Sequence, residues 1–125
     1  MSAPSMAGWN LALRFGLELA ALAGLAIGAW TLASDGSRWI AVVALPLAAA
    51  VIWGTFNVLD DPSRSGAAPV EVAGWTRLAI ELLILGGGAA AFAIAGRPNV
   101  AIVLVLLVAL QSITSWSRIE WLAAA

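Results

Sequence analysis

The sequence predicts an all-α integral membrane four-helix bundle built from two tandem transmembrane hairpins in a parallel repeat. Three observations predict it: long uncharged apolar runs, short polar turns between them, and a duplication relating the two halves of the chain. Of the 125 residues, 62% are hydrophobic and 10% charged, where an ordinary soluble domain is roughly a quarter charged. So few polar groups cannot coat a water-soluble globule. The length suits a single domain, 1–125.

The stretches 39–59 and 98–117 hold 21 and 20 residues without a charge, enough to cross a bilayer. They predict the second helix over about 39–59 and the fourth over about 98–121. The uncharged runs 19–34 and 82–96 hold only 16 and 15 residues. At that length a helix reaches about 22 Å, short of a hydrocarbon core of about 30 Å. These helices must begin earlier, which gives a first helix over about 8–33 and a third over about 72–95. The extension draws Arg14, Glu18, Arg77 and Glu81 to membrane depth, with the two glutamates roughly 14 Å along their helices.

The connections Ser34-Asp35-Gly36-Ser37-Arg38 and Gly96-Arg97-Pro98-Asn99 read as tight turns of antiparallel hairpins. The middle connection, 60–71, begins Asp60-Asp61-Pro62-Ser63-Arg64-Ser65-Gly66 and reads as a solvated loop between the hairpins. Arg14, Arg64, Arg77 and Arg118 lie toward the face with the termini and middle loop, against Arg38 and Arg97 on the other. Both termini are therefore expected on the cytoplasmic side. No basic residue precedes Arg14, and Glu18 interrupts the apolar run, so the first span reads as retained rather than as a cleaved signal.

A shift of 63 residues superposes Arg14 on Arg77, Glu18 on Glu81, Gly24 on Gly87 and Trp53 on Trp116 without a gap. The halves, about 8–59 and 71–122, read as one duplicated hairpin. Each half crosses twice, so both enter from the same side, related by a pseudo-two-fold axis along the membrane normal. Charges at i and i+4 share a helix face, and lone charges in lipid are costly, so the two Arg-x-x-x-Glu motifs should face the interior. Pairing within each helix and cross-pairing of Arg14 with Glu81 and Arg77 with Glu18 both fit. The quartet, with Asn10 beside it, serves either as a neutral clamp between the first and third helices or as an intramembrane polar site.

Gly24-x-x-x-Gly28, echoed by Gly87-x-x-x-Ala91, offers small-residue strips for close helix packing. Pro46 inside the second span predicts a kink, because it removes a backbone donor. Trp9, Trp39, Trp75 and Trp121 fall near span ends, as an aromatic belt would place them. Trp53 and Trp116, with Asn57 and Gln111 nearby, form a candidate polar-aromatic lining, for which ordinary interfacial anchoring is the alternative.

With no cysteine and no histidine, disulfides, thiolate chemistry and the usual metal sites are excluded, and no cofactor is expected. A formal charge of −1 and six scattered arginines offer no basic stripe for nucleic acid. An intramembrane enzyme needs an activated nucleophile, a metal or an acid/base pair over a substrate pocket. Two glutamates neutralised by arginines supply none of these, and catalysis is not expected.

The stretches Asn10-Leu11-Ala12-Leu13-Arg14-Phe15-Gly16-Leu17-Glu18-Leu19, Pro46-Leu47-Ala48-Ala49-Ala50-Val51-Ile52-Trp53-Gly54-Thr55-Phe56 and Arg77-Leu78-Ala79-Ile80-Glu81-Leu82 resemble the YrdB family of small bacterial membrane proteins. The chain departs from that pattern at Ala44 and in a longer acidic middle loop. The resemblance implies a four-helix membrane fold in a bacterial cytoplasmic membrane. It also implies signature roles for Asn10, Arg14, Glu18, Trp53, Arg77 and Glu81, and brings no activity with it. The expected function is structural or accessory, with the Arg/Glu cluster holding the bundle. The competing one is small-solute or lipid binding or transport at the same residues. Expected partners are membrane lipid and either another membrane protein or a second copy of the chain.

Overall fold

The computed structural model describes residues 3–63 and 67–125. Arg64, Ser65 and Gly66, which the sequence assigns to the middle loop, lie outside the described residues. The elements run α1 (Gly8–Leu32), α2 (Arg38–Thr55), β1 (Phe56–Asn57), β2 (Val70–Glu71), α3 (Gly74–Ile94), α4 (Pro98–Thr114) and α5 (Trp116–Ala124). The protein is mostly helical. α1, α2 and α3 are each long and apolar enough to cross a membrane, and α4 with α5 makes a fourth if the bent pair is one span.

α1 and α3 form the central pair, with α2 packed chiefly on α1 and α4 chiefly on α3. The pattern of burial explains the pairing. On α1 the buried residues include Asn10, Arg14, Leu17, Ala21, Gly24 and Gly28, a spacing of alternating four and three that keeps one stripe facing inward. α3 answers with Arg77, Glu81, Leu85, Gly88 and Phe92. A Cβ on Gly24 would come within 2.6 Å of the Gly88 carbonyl oxygen, and one on Gly88 within 2.6 Å of Ala21 Cα, so both helices need bare backbone here. Gly28 meets Ala91 in the same way. Gly87 does not share this role: the nearest atom to its Cβ position is Leu25 Cδ2 at 3.8 Å. The contacting stripe of α3 steps from Leu85 to Gly88 to Phe92, and Gly87 sits on the neighbouring row.

The core beneath this contact is Leu17, Ala21, Trp53, Leu85, Ala89, Phe92, Ala101 and Leu104. Outside it the usual distribution of polarity is inverted. Large apolar residues such as Ile40, Val43, Leu47 and Val51 of α2 and Ile102, Val105, Leu106 and Ile113 of α4 are exposed, whereas Asn10, Arg14, Asp61, Arg77, Glu81, Gln111 and Arg118 are buried.

Three boundaries and the burial of one connection differ from the sequence reading. α2 passes through Pro46 as one helix but stops at Thr55 rather than near 59, because Phe56–Asn57 extends and pairs in parallel with Val70–Glu71. That pairing also delays α3 to Gly74. The middle connection is not wholly solvated: Asp61 is completely buried. The expected fourth helix over 98–121 breaks at Ser115, beyond which α5 turns 75° away from α4. The break has a local cause. The hydroxyls of Thr114 and Ser115 donate to the carbonyls of Leu110 and Gln111 at 2.8 and 2.7 Å, competing with the helical backbone.

The tight connections at the far end are ordered by side chains. Asp35 accepts from the Ser37 backbone amide at 2.9 Å and from its hydroxyl, holding the aspartate pKa below its usual range. Arg38 donates to the Ala33 carbonyl at 2.9 and 3.1 Å, satisfying the open C-terminal end of α1. Its guanidinium carbon stands 4.5 Å over the Trp30 ring. Gly96 takes the left-handed conformation, φ +79°, at the end of α3.

Candidate functional site

The charged residues converge at the end of the helices where α1 and α3 begin. Arg14 and Glu18 lie six and ten residues into α1, about 9 and 15 Å along its axis, and Glu81 lies seven residues into α3, about 10 Å along. Two further residues join them, one from each of the segments the sequence reading misjudged. Asp61 comes from the middle connection. Arg118 comes from α5, whose buried face is Arg118, Trp121 and Leu122.

Glu81 is the hub. Arg14 Nη2 lies 2.6 Å from its Oε1, Arg77 Nε donates to Oε1 at 3.2 Å, and Arg118 donates to both oxygens, with Nη1 3.1 Å from Oε2. Arg118 also grips Asp61 in the two-pronged manner suited to a planar guanidinium, Nε to Oδ1 at 2.8 Å and Nη2 to Oδ2 at 2.7 Å. Arg14 therefore spans the two motifs, 3.4 Å from Glu18 of its own helix and much closer to Glu81 of the other. Arg14, Arg77 and Arg118 stand against Glu18, Glu81 and Asp61, so the cluster is neutral.

Burial pushes the Asp61 carboxyl up. The Arg118 guanidinium, aided by hydrogen bonds from the Ser63 amide and hydroxyl at 2.9 Å, outweighs it and leaves the group below the usual aspartate range.

Trp53 of α2 is the cluster's wall. The guanidinium carbons of Arg14 and Arg77 stand 5.3 and 5.2 Å from its ring centroid. Arg77 Nη1 donates at 2.6 Å to the carbonyls of Trp53 and Phe56, closing the open end of α2. A separate polar group ties α1 to α4. Gln111 donates to Asn10 Oδ1 at 2.9 Å, and Asn10 donates to the Thr114 hydroxyl at 2.7 Å. Asn57 is buried in the parallel bridge, where its side-chain Oδ1 accepts from the Val58 amide at 2.9 Å.

Trp53 and Trp116 do not line a common vestibule. After the turn at Ser115, Trp116 is 55% exposed and its indole donates to Glu120 at 3.0 Å. Trp121, expected among the interfacial anchors, is instead buried on α5, while Trp9, Trp39 and Trp75 remain exposed. α5 itself is seated on the start of α3: the Gly74 amide donates to the Ala125 carbonyl at 3.3 Å, and a Cβ on Gly74 would collide with the Leu122 carbonyl.

Two clefts open beside the cluster. One, about 170 Å³, is lined by Phe15, Glu18, Leu19, Leu22, Ala50, Trp53 and Ile84. The other, about 230 Å³, runs between α3 and the α4–α5 turn, with Glu81 and Arg118 in its wall. Among the described residues no group of three or more His, Cys, Asp or Glu could hold a metal ion.

The family model described as a protein of unknown function, DUF2568, matches residues 12–109. The uncharacterized protein YrdB of Bacillus subtilis (strain 168) is 42% identical over 113 residues, which cover 90% of this chain and 92% of that protein. No solved structure matches the chain.

Proposed function

The chain belongs to the YrdB-like family of proteins of unknown function, DUF2568, and within that family we propose that it is an integral membrane protein of structural or accessory role. Its four spans, two tandem hairpins with both termini cytoplasmic, are locked at one end by the Arg/Glu/Asp cluster. Supporting the membrane setting is the inversion of polarity, apolar outside and ionic inside, which water would disfavour and lipid favours. α4 has 17 residues and reaches about 25 Å, a length a slightly thinned bilayer accommodates. α5 then lies along the interface as a cap.

The observation that carries the clamp reading is the convergence of three arginines from α1, α3 and α5 on Glu81. A carboxylate held in this way joins three helices, α1, α3 and α5, through one buried group. It presents no activated nucleophile and no base aimed at a substrate.

Glu81→Gln is expected to lower stability by about 3–5 kcal/mol, as when one partner of a buried ion pair is removed, and Glu18→Gln by clearly less. Thermal unfolding of the purified protein in detergent checks this, together with retention in the membrane fraction after an alkaline wash. An unchanged melting temperature for Glu81→Gln would sink the clamp, and release by the wash would sink the membrane setting.

A further inference from the structure

The cleft between α3 and the α4–α5 turn has polar groups in its wall that the charge cluster does not use. Gln111 is 2% exposed, and both N–H groups of its amide are engaged, donating to Asn10 Oδ1 at 2.9 Å and to the Ser115 hydroxyl at 3.2 Å. Ser115 in turn gives its proton to the Gln111 main-chain carbonyl at 2.7 Å. Among the described residues Gln111 Oε1 accepts no hydrogen bond, and the neighbouring, half-buried Ser112 hydroxyl makes none. Gln111 and Ser112 both line the cleft. An acceptor and a hydroxyl left open at this depth are costly in lipid until something meets them.

The charges beside them decide what can. Glu81 already takes three arginines, and Arg118 is shared between Glu81 and Asp61. The cluster is neutral, so any further charge brought here would stand uncompensated at low dielectric. The occupant must therefore be neutral. It must give a hydrogen bond to Gln111 Oε1 and share one with Ser112, which a hydroxyl does and an ester or ether oxygen does not.

The cleft does not end at these polar groups. An apolar groove of about 180 Å³ continues it along α3 and α4, and the two share Leu82, Leu85 and Val108. Between Ser112 at one end and Val105 at the other, α4 rises about 10 Å. Gly86 keeps the groove open. Beyond its own helix backbone, no atom lies within 4 Å of where its Cβ would stand, so no internal contact requires glycine there, although glycine weakens a helix. The exposed Leu82 and Val105 form the lips of the groove toward lipid. Gln111 and Ser112 lie in the last turn of α4, where the span meets the interface. Resting on the membrane setting above, we propose that this cleft binds a neutral amphiphile with a free hydroxyl, of the diacylglycerol type. The hydroxyl donates to Gln111 Oε1 and accepts from Ser112, and one hydrocarbon chain runs down the groove over Gly86.

The test is native mass spectrometry of the full chain in an amine-oxide detergent, which carries no hydroxyl of its own. The probes are a diacylglycerol, its methyl ether and the phosphatidic acid of identical acyl chains, with glycerol alone as a separate arm. The diacylglycerol should bind about tenfold more tightly than the ether, the scale of one hydrogen bond to a buried acceptor. Phosphatidic acid should bind more weakly than the diacylglycerol. Ser112→Ala should lower diacylglycerol binding about fivefold. Gly86→Leu, which fills the groove, should lower it by a similar factor, and both variants should keep the wild-type melting temperature. Equal binding of diacylglycerol and ether, tighter binding of phosphatidic acid, or diacylglycerol binding that survives both substitutions overturns the proposal. So does glycerol binding as tightly as the lipid, which would make the site one for a free polyol. A protein that withstands the alkaline wash yet shows no preference among the probes retains its membrane setting and loses only this site.

Discussion

Asp61 and Arg118 illustrate what single residues hide in a sequence. The sequence places Asp61 in a solvated connection and Arg118 in the last turns of the fourth helix toward the cytoplasmic face, where charges are usually solvated. Their pairing joins positions 57 apart, and only closure of the chain creates it. One local clue existed. Arg118, Trp121 and Leu122 share a helix face, so the arginine sits on the apolar side of an amphipathic turn. Arg14, Glu18, Arg77 and Glu81 were legible because charges inside apolar runs must be paired. The pairing at Asp61 makes a pH prediction. Its folded-state pKa is lower than its unfolded value of about 4, so its contribution is fully present above about pH 4 and is lost as the pH falls through the lower folded value. Melting temperature should hold level from pH 7 to about 5 and decline below 4, with a shallower decline for Asp61→Asn. An Asp61→Asn protein with the wild-type acid slope would show that the pair contributes nothing.

At the scale of elements, α1 and α3 were readable to within a few residues because the 30 Å requirement fixes how far an apolar run must extend. The end of α2 and the break in α4 were not. No proline or glycine follows Pro98 in the sequence to mark a stop, and back-bonding hydroxyls at Thr114 and Ser115 are a weak signal on their own. The small-residue strip was half legible. Repeat symmetry pointed to Gly87, and helix geometry selected Gly88. Gly24→Ala and Gly88→Ala should each destabilise by about 1–3 kcal/mol through overpacking. Gly87→Ala has room for its methyl and should be neutral or stabilising by up to about 1 kcal/mol through helix propensity. Chemical denaturation of the three variants decides the matter, and equal losses at Gly87 and Gly88 would refute the packing described. Gly74→Ala tests the seat of α5 alone, since its methyl would strike the Leu122 carbonyl. It should increase the reactivity of a cysteine placed at Trp121.

For the molecule as a whole, composition carried the argument: a chain this apolar hides its charges and shows its leucines. The absence of cysteine makes the orientation directly testable. In intact cells a membrane-impermeant maleimide should label Ser34→Cys and Asn99→Cys, at the two tight connections, and spare Ser5→Cys and Ala67→Cys. The reverse pattern would invert the topology. The repeat is a reading of the sequence alone, and Arg118, which completes the cluster at Glu81, lies outside its aligned motifs. The position of this arginine also dictates an order of events during synthesis. By the time Thr114 is made, Glu18, Glu81 and Asp61 are present against only Arg14 and Arg77, and the cluster carries one surplus acid. A chain cut after Thr114 should accordingly insert but remain protease-sensitive. The charge balance of the cluster is thus closed only when the last of its guanidiniums, that of Arg118, has been made.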